Sequence, residues 1–437
     1  MCAICELNRG RVMAAPDPGP VSDYEAATAS FAGSADWHAL IDERPPSRFN
    51  AMTEPGAPVI VTYGFAPERN ANVKRAVADD NLIDAAREVV AYAETVTGVR
   101  FVEVPNTADP MVTFEYNTNG TGASSGRVPQ VSEANANTVG GIVISEYLGG
   151  VLEPGGQGFQ VMLHELGHAL GLKHPHQGDT QLPYAADNTG NTVMSYNWTG
   201  ESKVSYQPLD RMALRFLYGE ADAFDGVTTT FNESNGAVVA KGTGGGDTLV
   251  GVNGVSILLG FSGNDLLIGR EANDRLNGGG GNDDLRGLGG NDVLMAGGGN
   301  DNVAGGNGAD RLLGQRGKDW LFGDGGNDLL LGGAGNDNLA GGTGNDTLNG
   351  GRGRDVYEGG SGADLFVAAA KGRDNVTDFN PREGDRIDIS DLDMTASQAA
   401  DRLQDMRGNL VFDTGDGFLT LDGAGGMNGS ADWFFIG

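Results

Sequence analysis

One pulse of nine residues constrains this chain more than any other feature. Aspartate recurs at every ninth position as Asp247, Asp265, Asp274, Asp283, Asp292, Asp301, Asp310, Asp319, Asp328, Asp337, Asp346, Asp355 and Asp364, and only Ser256 breaks the series. An apolar residue follows two places later, as at Leu267, Leu285, Leu294, Leu312, Leu321, Leu330, Leu348 and Phe366. Glycine stands five places before the aspartate from Gly260 to Gly359, with Ala296 the one exception. This is the pattern G-G-x-G-x-D-x-U-x, with U apolar, and it reads as a calcium-binding parallel β-roll. Glycine suits a backbone that takes positive φ and comes close to an ion. Carboxylates and turn carbonyls are hard oxygen ligands suited to calcium. Six residues of each repeat are expected to form a turn and three a short strand. Successive turns then alternate sides, each ion lies between repeats n and n+2, and the apolar residues make a narrow core. The expected ligands of several structural Ca2+ ions are Asp265, Asp283, Asp292, Asp301, Asp310, Asp319, Asp328, Asp337, Asp346, Asp355 and Asp364. The registers at Asp247, Ser256 and Asp274 are degenerate, so the first one or two turns are expected to be weak or empty sites. A flexible glycine-rich spacer would have no reason to hold Asp and Leu in phase. Without calcium the stacked carboxylates repel, so the roll is expected to be unfolded in calcium-poor cytosol and to fold outside.

Bulk composition narrows the partners. The chain has 437 residues, room for two or three domains, and a net charge of −30 from 59 acidic and 29 basic residues. That balance argues against nucleic acid and anionic membrane as partners and fits a protein that needs cations. The 73 glycines are largely periodic and so do not signal disorder. Both cysteines, Cys2 and Cys5, lie in the first five residues, so the body of the chain has no disulfide. No stretch approaches the roughly 18–20 apolar residues of a transmembrane helix, so no membrane span is expected. The first residues, Met1 to Arg11, lack an apolar core of secretory-signal length, and export is expected to use another route.

Residues 1–50, rich in Pro, Ala, Gly and Asp, read as a leader or propeptide with a weak helix over Ser22–Phe31. A globular pattern follows over 51–219. Val59–Phe65, Val99–Val104, Met111–Tyr116 and Gly141–Ser145 read as strands. Asn81–Thr97, Gln160–Leu170 and Leu209–Tyr218 read as helices. That order predicts an α/β domain with a mixed sheet. Residues 220–241 read as a linker or lead-in, 242–367 as the roll, and 368–437 as a tail of ordinary composition.

The predicted helix at 160–170 holds His164-Glu165-Leu166-Gly167-His168, followed by Gly171 and His174, which is H-E-x-x-H-x-x-G-x-x-H. His164 and His168 lie one turn apart on one face and can share a metal. Glu165 lies beside them. Gly171 can take the left-handed conformation that ends a helix, and His174 can then return as third ligand. Three neutral imidazoles leave one Zn2+ an open position for water, the catalytic arrangement. Zinc can lower the pKa of that water to about 7, with Glu165 as the general base that passes the proton to the leaving amine. His176 reads as a surface or substrate-rim residue and His38 has no partner that the sequence reveals.

Thr192-Val193-Met194-Ser195-Tyr196 resembles the Met-turn of metzincins, with Met194 as a structural packing residue. The long histidine motif, this turn and the nonapeptide roll together resemble the serralysins, bacterial secreted zinc endopeptidases with C-terminal RTX repeats. The resemblance covers roughly 51–437 and includes Leu209–Gly219, similar to the helix after that family's Met-turn. It implies a metzincin-like catalytic domain over 51–219. It also implies that Tyr196 is a further zinc ligand that swings away to stabilise the oxyanion. Peptide substrates would pair along a sheet edge, for which Ser125–Gln130 is the candidate. Asp374–Phe379 and Gly384–Ser390 resemble the segment that closes the family's roll. The terminal Asp432-Trp433-Phe434-Phe435-Ile436-Gly437 resembles an uncleaved type I secretion signal. The implied partners are protein and peptide substrates, the type I secretion apparatus and a proteinaceous inhibitor, around a secreted monomer.

Cys2-x-x-Cys5 departs from the family, which usually lacks cysteine. One reading is a propeptide thiolate capping the zinc of a zymogen. A disulfide, a second metal or lipid site, or no role are the alternatives. The competing reading of the whole chain is a calcium-binding surface or adhesion protein with an inactive metzincin domain. The intact ligand set argues against it.

Overall fold

The protein is described by a computed structural model over residues 56–65, 75–76, 78–108, 110–117, 125–127, 140–145, 152–154, 156–177, 187–197, 202–369, 371–427 and 429–436. Cys2, Cys5, His38, the leader over 1–50 and positions 128–130 of the expected substrate edge lie outside these residues. The chain divides after Asp225 into two units.

The described part of the first unit is built on strands β1 (Val59–Phe65), β2 (Arg75–Ala76), β3 (Val99–Glu103), β4 (Val112–Asn117), β5 (Ser125–Arg127) and β6 (Gly140–Ser145). Their order is β3-β1-β4-β6-β5, with β2 paired to β4. β1 is parallel to β3 and β4, and β4 to β6, whereas β2 and β5 are antiparallel to their partners. The sheet is therefore mixed. β1 is an almost unbroken apolar, β-branched run because both its neighbours are parallel strands and both its faces are covered. Helix α1 (Asp80–Glu94) starts where the Asp79 side chain accepts the Leu82 amide at 2.9 Å, and it buries Leu82, Ala85, Ala86, Val89, Val90 and Ala93.

Helix α2 (Gln157–Ala169) lies against β5 and β6. It begins three residues before the predicted start at Gln160. Gly156 and Gly158 are poor helix formers and hid the first turn from propensity reasoning, while tertiary packing overrides them. Helix α3 (Pro208–Tyr218) has Pro208 in its first turn, a Gln207–Asp210 capping box and Gly219 at its end with φ +81°.

The second unit is a parallel β-solenoid of two sheets. Consecutive strands alternate between the sheets, so neighbours within a sheet are 18 residues apart, as in Leu276↔Leu294↔Leu312 and Leu285↔Val303↔Leu321. The residue two places after each phase point faces inward and is fully or almost fully buried, from Leu258 to Phe366.

Two sequence expectations change here. The ladders are longer than three residues, typically six as in Arg275–Gly280. A corner at Gly278 is skipped, and pairing resumes at Gly279↔Gly297. Hydrogen bonding thus continues through glycines that had been assigned to the turn. The stretch 220–241 is also not a bare linker. Strands β7 (Thr228–Asn232) and β8 (Ala237–Lys241) form a hairpin, and β8 pairs in parallel with Ser256–Ser262. It gives the first roll strand of that sheet a hydrogen-bonded neighbour. At the other end Arg373–Val376, Arg386–Asp388, Phe418–Leu421 and Phe434–Phe435 continue the two sheets past residue 367.

Candidate metal centres

The phase aspartates of the second unit form two carboxylate ladders. The amide of each aspartate donates to Oδ1 of the aspartate two repeats later: Asp265 to Asp283 at 2.9 Å, Asp283 to Asp301 at 2.8 Å, Asp301 to Asp319 at 3.0 Å, and Asp319 to Asp337 at 3.0 Å. The other series runs from Asp274 through Asp292, Asp310, Asp328 and Asp346 to Asp364. Each Oδ2 from Asp265 to Asp364 is buried without a hydrogen-bond partner. A buried carboxylate oxygen with no donor is costly. A row of them fits the hard-oxygen preference of calcium.

Glycine is what lets these oxygens sit so deep. A Cβ on Gly260, five residues before Asp265, would stand 2.1 Å from Asp265 Oδ2. One on Gly281 would meet the Gly263 carbonyl at 1.8 Å, so successive turns stack too closely for a side chain there. Burial pushes the carboxyls above the usual range, with neighbouring aspartates adding to it at most positions. The pKa reaches about 6 at Asp265, Asp301, Asp319, Asp328, Asp337, Asp346 and Asp364, about 7 at Asp292 and about 8 at Asp274. Asp283, Asp310 and Asp355 are also raised by burial.

The first two registers differ. Asp247 Oδ2 accepts the Thr243 amide at 2.6 Å, and the Ser256 hydroxyl oxygen accepts the Val252 amide at 3.0 Å. Asp274, omitted from the expected ligands because its turn is Arg270-Glu271-Ala272-Asn273, shares the ladder and its orphaned Oδ2. Asp374 and Asp385, read in the sequence only as part of the segment that closes the roll, also belong to the ladders. They accept the Asp355 and Asp364 amides, both at 3.0 Å, and burial raises them to about 7 and about 6. Their separations of 19 and 21 residues from those donors fall out of the 18-residue phase, so a fixed-period search loses them.

In the first unit α2 places His164 and His168 on one face, and its end returns the chain toward them. Gly171, at φ +95°, donates to the His168 carbonyl at 3.0 Å, and Leu172 to the Gly167 carbonyl at 2.9 Å, a Schellman ending. His174 then meets both helical histidines. Its Nε2 lies 3.2 Å from His164 Nε2 and 3.0 Å from His168 Nε2. His164 Nδ1 is 2.8 Å from the Val193 carbonyl and His168 Nδ1 is 2.8 Å from the Leu172 carbonyl. A carbonyl only accepts, so each Nδ1 carries the proton and each Nε2 presents a lone pair toward His174. Burial drives all three pKa values down, His168 well below the usual value and His174 to about 3. Three neutral imidazoles converge where their nitrogens can bind a cation, and their backbone bonds are the kind that fix metal-bound histidines.

Glu165, next to His164 in the chain, is buried. Met194 is fully buried, and a Cβ on Gly167 would come within 2.6 Å of its sulfur, so Met194 fills the space under the helix. Tyr196 is 51% exposed, with its ring centroid 4.5 Å from that of His174 and 5.6 Å from that of His164. The turn carrying Met194 is gripped by two buried aspartates that the motif reading passed over. Asp210, on α3, accepts Thr192 Oγ1 at 2.5 Å, the Val193 amide at 2.9 Å and the Gln207 amide at 2.8 Å. Burial raises its carboxyl to about 7. Asp187 Oδ1 accepts Ser195 Oγ at 2.5 Å. Neither belongs to a spaced motif, and only the fold brings them to the turn.

Residues 241–366 match the family described as RTX calcium-binding nonapeptide repeat (4 copies), in overlapping segments 241–276, 259–294, 268–303, 295–330, 304–339 and 331–366. The second unit therefore carries RTX calcium-binding repeats. No curated protein matches the chain. Among solved structures, the extracellular lipase LipA from Serratia marcescens is similar at 20% identity and a TM-score of 0.21. That likeness covers 42% of this chain and 40% of the lipase, so the chain spans less than half the length of that protein.

Proposed function

We propose that this chain is a secreted zinc endopeptidase of the serralysin kind, with a calcium-folded β-roll. One observation carries the reading. The Nε2 atoms of His164, His168 and His174 converge, and two of the rings are turned that way by Nδ1–H bonds to the Val193 and Leu172 carbonyls. The mixed sheet, α2 and the buried Met194 under Gly167 support a metzincin-like arrangement of residues 51–219.

Zinc held by His164, His168 and His174, with Tyr196 beside them, would supply Lewis acidity toward a peptide carbonyl and toward water. Glu165 takes a proton from the attacking water and returns it to the leaving amine, so the peptide bond breaks without net proton change. Tyr196, on the exposed side, donates its hydroxyl to the developing oxyanion. β5 is the end strand of its sheet order and supports the edge at which an extended peptide would pair. The carboxylates from Asp265 to Asp364, Asp274 included, hold the calcium ions of the roll. Export by the type I apparatus, through the terminal segment ending at Ile436 and Gly437, fits a module that calcium folds. A propeptide over 1–50, protein substrates, a proteinaceous inhibitor and a monomeric state complete the reading.

The test is casein hydrolysis by the full chain in calcium. A zinc chelator that leaves calcium in place should abolish it, and Glu165→Ala should lower kcat by about 10²–10⁴-fold. Hydrolysis that survives both would refute the zinc-endopeptidase reading, and a wild-type protein that binds calcium and cleaves nothing would favour a calcium-binding surface protein instead.

A further inference from the structure

We propose that Asp187 is a positioning residue that sets Tyr196 on the open side of the histidine cluster, an inference resting on the endopeptidase reading. Asp187 is 8% exposed, yet its polar atoms reach both sides of the tyrosine. Its Oδ1 accepts Ser195 Oγ at 2.5 Å, and its backbone carbonyl accepts Asn197 Nδ2 at 2.7 Å. The Ser195 hydroxyl oxygen in turn accepts the Asn197 amide at 3.0 Å, and the Thr189 amide donates to the Asn197 carbonyl at 3.0 Å. The residues before and after Tyr196 are thus both tied to Asp187, while Tyr196 itself is half exposed.

The same carboxylate touches the ligand side. Asp187 Oδ2 lies 3.8 Å from His176 Nδ1, and the His176 ring stacks on His174 at 5.4 Å with planes 13° apart. One buried carboxylate therefore contacts the tyrosine turn and the ring that lies on the third histidine. Asp210 holds the start of the same turn through Thr192 and Val193. The Tyr196 ring packs against His164, His174 and His176, and its reach toward them depends on where its backbone is anchored. Asp187 is that anchor on the downstream side.

The experiment uses the full chain in calcium with copper(II) exchanged for zinc. A phenolate bound to copper(II) absorbs in the visible by charge transfer, and Tyr196→Phe identifies that band as the tyrosine's. Asp187→Ala is expected to weaken or shift the band while metal content stays at one per chain. In the zinc form kcat should fall by about 10–100-fold, the range for groups that orient metal ligands, with KM within about twofold. Asp187→Asn, which keeps an oxygen for Ser195 Oγ, should recover part of both. An Asp187→Ala protein with an unchanged band and unchanged kcat overturns the proposal. Should that variant not fold, Ser195→Ala cuts the same link, and an unchanged band there overturns it equally. A wild-type protein with neither hydrolysis nor a tyrosine band removes the endopeptidase reading, and this inference with it. A wild type with both, beside an indifferent Asp187 variant, removes this inference alone.

Discussion

At Asp319 one carboxylate oxygen accepts the Asp301 amide at 3.0 Å and the other is buried with no donor. That asymmetry defines what each repeat asks for. Oδ1 is spent on the backbone two turns away, and Oδ2 remains for a cation or a proton. The position four residues before each such aspartate except Asp274 asks for something different, a positive φ. Gly279, Gly297, Gly306, Gly333, Gly342, Gly351 and Gly360 supply it without cost, but Phe261, Leu288, Gln315 and Asp324 adopt φ of 71–79° with a Cβ. An L-residue in that region costs roughly 1–2 kcal/mol. Leu288→Gly should therefore stabilise the calcium-loaded roll by about 1 kcal/mol, read as a higher urea midpoint at unchanged m-value. A lower midpoint would show that the Leu288 side chain contributes more than its backbone costs. The histidine motif was legible at this scale because its spacing is short and helical. Asp187 and Asp210 were not, since hydrogen bonds to the turn from 8 residues earlier or 18 later leave no periodic trace.

Among elements, the long apolar ones were readable and the short paired ones were not. Val59–Phe65 and Leu82–Ala93 declare themselves by burial pattern. β2 and β5 have two and three residues, and they are strands only because β4 and β6 are there to pair with. The hairpin β7–β8 was lost for a related reason, since its role follows from the open edge of the roll strand at Ser256–Ser262. The carboxylate ladder is an element-level property too, and it predicts a pH dependence. Folded-state pKa values of about 6 to 8 lie above the ordinary aspartate value of about 3.9. The calcium-free roll thus binds protons more tightly than the unfolded chain does. Its stability from this source is fully present below about pH 4 and is lost as pH rises through 6 to 8. In buffer freed of calcium by dialysis, the roll's β-sheet circular dichroism signal should be retained at pH 4.5 and lost at pH 8. A signal equally weak at both would mean that the ladder does not titrate as a buried row.

For the whole molecule the net charge of −30 and the buried ladders belong together, because a cation-poor medium leaves like charges stacked at close spacing. Withdrawing calcium with EGTA at neutral pH should abolish most of the roll's β signal, and restoring calcium should return it. A zinc chelator with calcium present should leave that signal intact. A roll equally ordered in EGTA at pH 7.5 would contradict the first expectation, and collapse on zinc removal the second. Among the described residues no helix is long and apolar enough to cross a membrane. The repeating part of the protein was written in the sequence, because a solenoid contact always joins residues a fixed distance apart and periodicity is enough to specify it. The H-E-x-x-H-x-x-G-x-x-H segment was likewise self-contained, since a helix and one glycine turn bring its histidines together. What required the tertiary structure were the groups whose partners lie at irregular separations. Asp374 and Asp385 extend the ladder out of phase, the β7–β8 hairpin covers its edge, and Asp187 and Asp210 grip the turn beside Tyr196. Their positions are fixed by chain reversal and burial, which no local spacing encodes.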